Sequence, residues 1–126
     1  MKRGWIGLAL LGCLLLGGIA SSRYMTREQE ALARAVEAAA QDARAGQWES
    51  ACRQLREAHH TWRRGWKRTA VFADHAPMEE INGLFAQLEV YGSRREILSF
   101  CSACAELKCQ LEAMADAHKL SWENLL

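Results

Sequence analysis

Three of the five cysteines crowd into one stretch, Cys101-Ser102-Ala103-Cys104 followed by Cys109. A Cys-x-x-Cys pair can serve as a redox couple or as half of a thiolate metal site. Redox pairs work at a helix N-terminus, where the dipole lowers a thiol pKa, and Cys101 lies about two turns beyond the cap expected at Ser93. A metal site needs a further donor, for which Cys52 and His118 are the candidates, and the chain holds no second Cys-x-x-Cys. Cys52 and Cys104 fall at core spacing, so small apolar packing residues are the expected use. A metal- or redox-responsive helical domain built on Cys52, Cys101, Cys104 and Cys109 is the alternative.

His59 and His60 are neighbours and so point about 100° apart on a helix, which prevents them from acting together as ligands on one face. His75, followed by Glu79 and Glu80, flanks Pro77, the single proline of the chain. An acid–base pair is conceivable there, but His75, Pro77 and Glu79 are expected to tie a helix junction. No phosphate loop, nucleophile elbow or paired-carboxylate arrangement occurs. The expectation is a protein without enzymatic activity, cofactor, catalytic residue or metal ligand.

The second feature with chemical content is charge. Arg53, Arg56, Arg63, Arg64, Lys67 and Arg68 are opposed between positions 53 and 68 only by Glu57. A solvated helix face explains such a run, and so does a surface formed by Arg56, Arg63, Arg64, Lys67 and Arg68 that meets a partner or acidic headgroups. Nucleic acid is not expected. Of the 16 Lys and Arg residues, Lys2 and Arg3 precede the apolar N-terminus, and the rest number one fewer than the 15 Asp and Glu. The remainder of the chain is therefore close to neutral, and nucleic acid would become reasonable only for a cytoplasmic domain.

The elements that must position these residues are helical. Few β-branched residues and abundant Ala, Leu, Glu, Arg and Gln predict an all-α fold. Residues 5–20 (WIGLALLGCLLLGGIA) are uncharged, and with Gly4, Ser21 and Ser22 the run covers about 28 Å as a helix, close to a bilayer core. Trp5 and Tyr24 flank it as interfacial aromatics. We therefore expect a transmembrane signal anchor over residues 1–22, contacting lipid through residues 5–22, and a helical-bundle domain over residues 23–126. Gly18-Ile19-Ala20 is also a plausible small-x-small cleavage site, which would make the mature protein secreted. Arg23, Arg27 and Arg34 nearly balance Lys2 and Arg3 in the positive-inside count, and the short Met-Lys-Arg tail tips the expectation toward an extracytoplasmic domain on the cell membrane.

Within the bundle, Thr26 and Gln29 form a capping-box pattern that predicts a helix start, and Gly46 an interruption. Trp48, Cys52, Leu55, His59, Trp62, Trp66, Thr69 and Ala73 alternate four- and three-residue steps, the inward stripe of a long second helix. Pro77 ends it and suits the first turn of the next helix, whose inward face is Ile81, Leu84, Leu88 and Tyr91. Gly92 is expected to close that helix and Ser93 to open a fourth, with Ser93–Glu96 as its capping box. Ile97, Phe100, Cys104, Leu107, Leu111, Met114 and His118 then line a helix antiparallel to the third. The apolar ending Leu120-Ser121-Trp122-Glu123-Asn124-Leu125-Leu126 is expected to dock on the bundle.

These residues resemble a family of small bacterial membrane proteins catalogued as domain of unknown function 4363. The resemblance rests on the apolar N-terminus, on Trp48, Ala51, Leu55, Trp62 and Trp66, on His75 with Glu79, Glu80 and Ile81, and on the closing Leu120-Ser121-Trp122-Glu123-Asn124-Leu125. It implies an envelope-facing helical module with no assigned reaction, working beside an integral membrane protein partner, and it carries no catalytic residues across.

Overall fold

The computed structural model describes residues 2–69 and 75–125, with side chains except at 21–22, 25, 66–69, 75–77 and 118–125. Four helices account for almost all of it: α1 (Lys2–Arg44), α2 (Trp48–Thr69), α3 (His75–Arg94) and α4 (Ile97–Leu125). The fold is all-α.

Helix α1 runs without a break through Thr26, so the expected helix start there is corrected. Between Ile19 and Arg44 the chain has neither Gly nor Pro and is rich in Ala, Glu, Gln and Arg. Each added residue contributes another backbone hydrogen bond, and no local sequence favours leaving the helix. Thr26 and Gln29 are buried side chains of the bundle, not a cap. The Gln29 carboxamide oxygen has no hydrogen-bond partner among the described residues.

The two halves of α1 have opposite surroundings. Lys2–Ala20 is long and apolar enough to cross a membrane, and its Trp5, Leu8, Leu14 and Leu16 are about 70–80% exposed. Farther along, Leu32, Ala33, Val36, Ala39, Ala40 and Ala43 are buried. The second half thus supplies one wall of the core.

The other helices complete a ring in which α1 packs on α2 and α4, and α3 packs on the same two. Side-chain contacts fix the antiparallel registers. Ser50 Oγ and Gln54 Nε2 donate to Asp42 Oδ2 at 2.7 and 2.6 Å, and a Cβ built on Gly65 would stand 3.7 Å from the Glu28 carboxylate oxygens. Between α2 and α3, Trp62 Nε1 donates to Asn82 Oδ1 at 3.0 Å. Lys108 Nζ donates to Glu37 Oε2 at 2.7 Å across α1 and α4, and Gln110 Nε2 to Glu80 Oε2 at 3.0 Å across α3 and α4. The core they enclose is centred on Val36, Ile81, Leu88, Phe100, Leu107 and Leu111, each essentially inaccessible to solvent.

Both turns at the end of the bundle remote from the apolar half of α1 are built alike. After α1, Gly46 (φ +80°) donates to the Ala43 carbonyl and Gln47 to that of Asp42, a Schellman closure with glycine at its left-handed position. After α3, Arg95 (φ +56°) donates to the Gly92 carbonyl and Glu96 to that of Tyr91. Gly92 therefore does not end α3, nor does Ser93 open α4; Ser93 Oγ donates to the Val90 carbonyl at 2.8 Å. The glycine serves close approach instead, since a Cβ there would lie 2.9 Å from Cys52 Sγ and 3.3 Å from Phe100.

The buried face of α2 is Ala51, Leu55, Ala58 and Trp62, with Trp48, Cys52 and His59 half-buried at its edge. The expected stripe is thus displaced toward the alanines, because small residues face the neighbouring helices where the backbones come closest. On α3 the expected face is present and widened by Met78 and Phe85. On α4, Phe100, Cys104, Leu107 and Leu111 are buried, whereas Ile97, the first residue of the helix, is not. The Trp66 and Thr69 side chains, Ala73, and the side chains of His118 and of residues 120–126 lie outside the described residues.

Candidate functional site

The basic run of α2 divides between two places. Arg56 lines a cleft of about 300 Å³ between α2 and α3, together with Cys52, His59, Phe85, Glu89 and Ser93. Arg63 and Arg64 stand farther along the helix, fully on its surface. The Lys67 and Arg68 side chains lie outside the described residues, but α2 remains helical through both.

In the cleft, the His59 ring stacks on Phe85 with centroids 4.7 Å apart and planes 11° apart. Burial, reinforced by the nearby Arg63 charge and partly offset by Glu89, lowers the imidazole pKa from its ordinary value. The neutral ring is therefore favoured in the folded state. His60 is exposed on the next face of α2, as adjacency requires. At the expected helix junction, α3 begins at His75 with Pro77 in its first turn, where a missing amide proton costs no helical hydrogen bond. Glu79 is exposed. The His75 and Pro77 side chains lie outside the described residues.

All five thiols are free. Cys104 is buried, and desolvation, with a smaller contribution from Cys101, pushes its pKa up to about 12. Such a group stays protonated and unreactive at neutral pH. Cys101 is half-buried with Sγ 3.9 Å from the Ala40 carbonyl, Cys109 is exposed, and Cys52 borders the cleft. Among the described residues no three His, Cys, Asp or Glu side chains converge as a metal-ligand set.

The feature that sequence reasoning missed is a gathering of charge across two helices. Because α2 descends along α1 with Gly65 beside Glu28, Arg63 and Arg64 share the end of the bundle with Arg23 and Arg27, all four exposed. None has an ion-pair partner among the described residues, where the Lys108–Glu37 bridge is found. That end is also where the apolar half of α1 leaves the bundle. The absence of Gly and Pro between Ile19 and Arg44 was the available signal, since it permits counting register along one uninterrupted helix.

The family model described as Domain of unknown function (DUF4363) matches residues 19–125 of the chain. No curated protein and no solved structure matches it.

Proposed function

Because the chain belongs to the Domain of unknown function (DUF4363) family, whose description assigns no activity, we propose its function from architecture: a membrane-anchored helical interaction module that acts beside a larger integral membrane protein. The observation that carries this reading is α1, none of whose apolar half is buried while its continuation forms a wall of the bundle core. Exposed leucines on every face of a helix are costly in water and favourable in lipid. An anchor continuous with the bundle keeps the domain at a fixed height above the bilayer, within reach of a neighbouring membrane protein. The domain faces the extracytoplasmic side in this proposal.

A metal- or redox-responsive role has less behind it, since Cys104 is desolvated and its thiolate form disfavoured. The anchored reading is tested by mass spectrometry of the membrane fraction, which should find a chain that begins at its first residue and resists alkaline extraction. A mature chain beginning near Ser21 in the soluble fraction would replace it with a secreted protein. Crosslinking in native membranes should then capture an integral membrane protein.

A further inference from the structure

The register between α1 and α2 sets the height of the basic end of α2 relative to a bilayer crossed by α1. Trp5 and Tyr24, both largely exposed, stand about 28 Å apart along the helix and bracket a hydrocarbon core. Glu28 lies one turn beyond Tyr24, about 6 Å farther out, within a headgroup layer roughly 5–8 Å deep. Gly65 sits at the level of Glu28, so the α2 backbone at Arg63 and Arg64 is about 8 Å beyond Tyr24, and at Lys67 and Arg68 it is closer still. An extended arginine side chain spans the remaining gap.

Charge at this end is unequally distributed. The α1–α2 side presents exposed Arg23, Arg27, Arg63 and Arg64 beside half-buried Glu28 and Glu30, while the start of α3 presents exposed Glu79 and Glu80. A uniformly basic end would hold the bundle upright, whereas this arrangement is drawn toward an acidic surface on one side and repelled on the other.

We propose that Arg63, Arg64, Lys67 and Arg68, with Arg23 and Arg27, bind the acidic lipid headgroups of the bilayer that α1 crosses, so that the bundle leans on its α1–α2 side. The inference rests on the anchored reading and adds to it a lipid class and an orientation. Contact is made by guanidinium and ammonium groups on headgroup phosphates, strongest where several basic groups act together.

The test uses the full chain carrying a benzophenone amino acid in place of Arg64, reconstituted into vesicles of phosphatidylcholine alone or with about one third phosphatidylglycerol. A second chain carries the probe in place of Arg94, exposed at the opposite end of the bundle. Irradiation should give lipid adducts at position 64, several-fold more in acidic vesicles than in neutral ones. The excess should disappear at high salt or with Lys67→Glu and Arg68→Glu together, and position 94 should give no adduct. Equal yields in the two lipid compositions, or no adduct at 64 in chains that float with the vesicles, overturn the headgroup contact and leave the anchor standing. Chains that do not float with vesicles overturn both. In native membranes, a protein adduct at 64 in place of lipid would assign the surface to a protein partner and sink the proposal.

Discussion

The seam between α1 and α4 is rich in small residues, whereas the seam between α2 and α3 carries aromatic side chains beside one close contact, Gly92 against Cys52. Ala40 meets Cys101 across the first, and the buried faces of the two helices carry Ala33, Ala39, Ala43, Ala103 and Cys104. Among the described residues, these two helices pack on each other more extensively than any other pair. Across the second, Trp62, His59 and Phe85 keep the helices apart, and the cleft opens beside them. Small residues thus spread cohesion over many modest contacts, while aromatic spacers concentrate it in a few side chains. Disruption should consequently be most damaging at single positions of the α2–α3 seam.

The largest effect is expected for Trp62→Ala, which empties a buried aromatic site and strands the Asn82 carbonyl oxygen. The loss should be about 3–5 kcal/mol, read by denaturant unfolding of the detergent-solubilised chain, and Trp62→Phe should recover most of it. A loss well below this range would mean that the α2–α3 seam does not depend on its aromatic spacer.

Next comes the contact of Gly92 on α3 with Cys52 on α2. Gly92→Ala should cost about 1–3 kcal/mol by overpacking against Cys52, despite alanine's better helix propensity. Combining it with Cys52→Ala should be less damaging than the two separate losses added together, a coupling measurable in a double-mutant cycle. Strict additivity would show that the contact is not the cause.

The remote turns offer a gain. Gly46 and Arg95 occupy the same left-handed position of the same closure, and only glycine holds it without a steric cost. Arg95→Gly should stabilise the fold by up to about 1 kcal/mol. A loss on unfolding measurements would reveal a contribution from the arginine side chain itself.

The smallest effect concerns acid. The folded pKa of His59 lies below its ordinary value of 6.5, so the unfolded chain takes up that proton more readily. Its contribution to stability is complete above 6.5 and is lost as pH falls through the lowered folded value. Unfolding midpoints followed across this window should decline on acidification, and His59→Phe should flatten the slope. An unchanged slope would place the acid sensitivity elsewhere.

Several of these features were legible in the sequence for physical reasons. Gly46 announced a turn because left-handed backbone favours glycine, and Ile81, Leu84 and Leu88 announced an inward face because large aliphatic residues at helical spacing have few other uses. The role of Gly92 was misread because the same residue type serves both helix termination and close approach. Arg95 gave no signal, since arginine has no preference for the conformation it adopts. The Ala-rich stretch of α1 holds few large apolar residues, yet alanines become core when two backbones come close enough to cover them. Of the candidate site, the basic run of α2 was visible. Its pairing with Arg23 and Arg27 was not, because it depends on α1 continuing past a capping pattern that the helix simply traverses.

The uninterrupted α1 also gives the molecule a rotational phase. No hinge separates the apolar half from the bundle, so the compass direction in which each bundle face points is set by counting residues from Tyr24. Inserting one residue between Tyr24 and Met25 should turn the whole bundle by about 100° around α1 while raising it only about 1.5 Å. Inserting four should raise it about 6 Å and leave it facing within roughly 40° of its original direction. A partner fixed in the same membrane would therefore distinguish these variants by azimuth before it distinguished them by height.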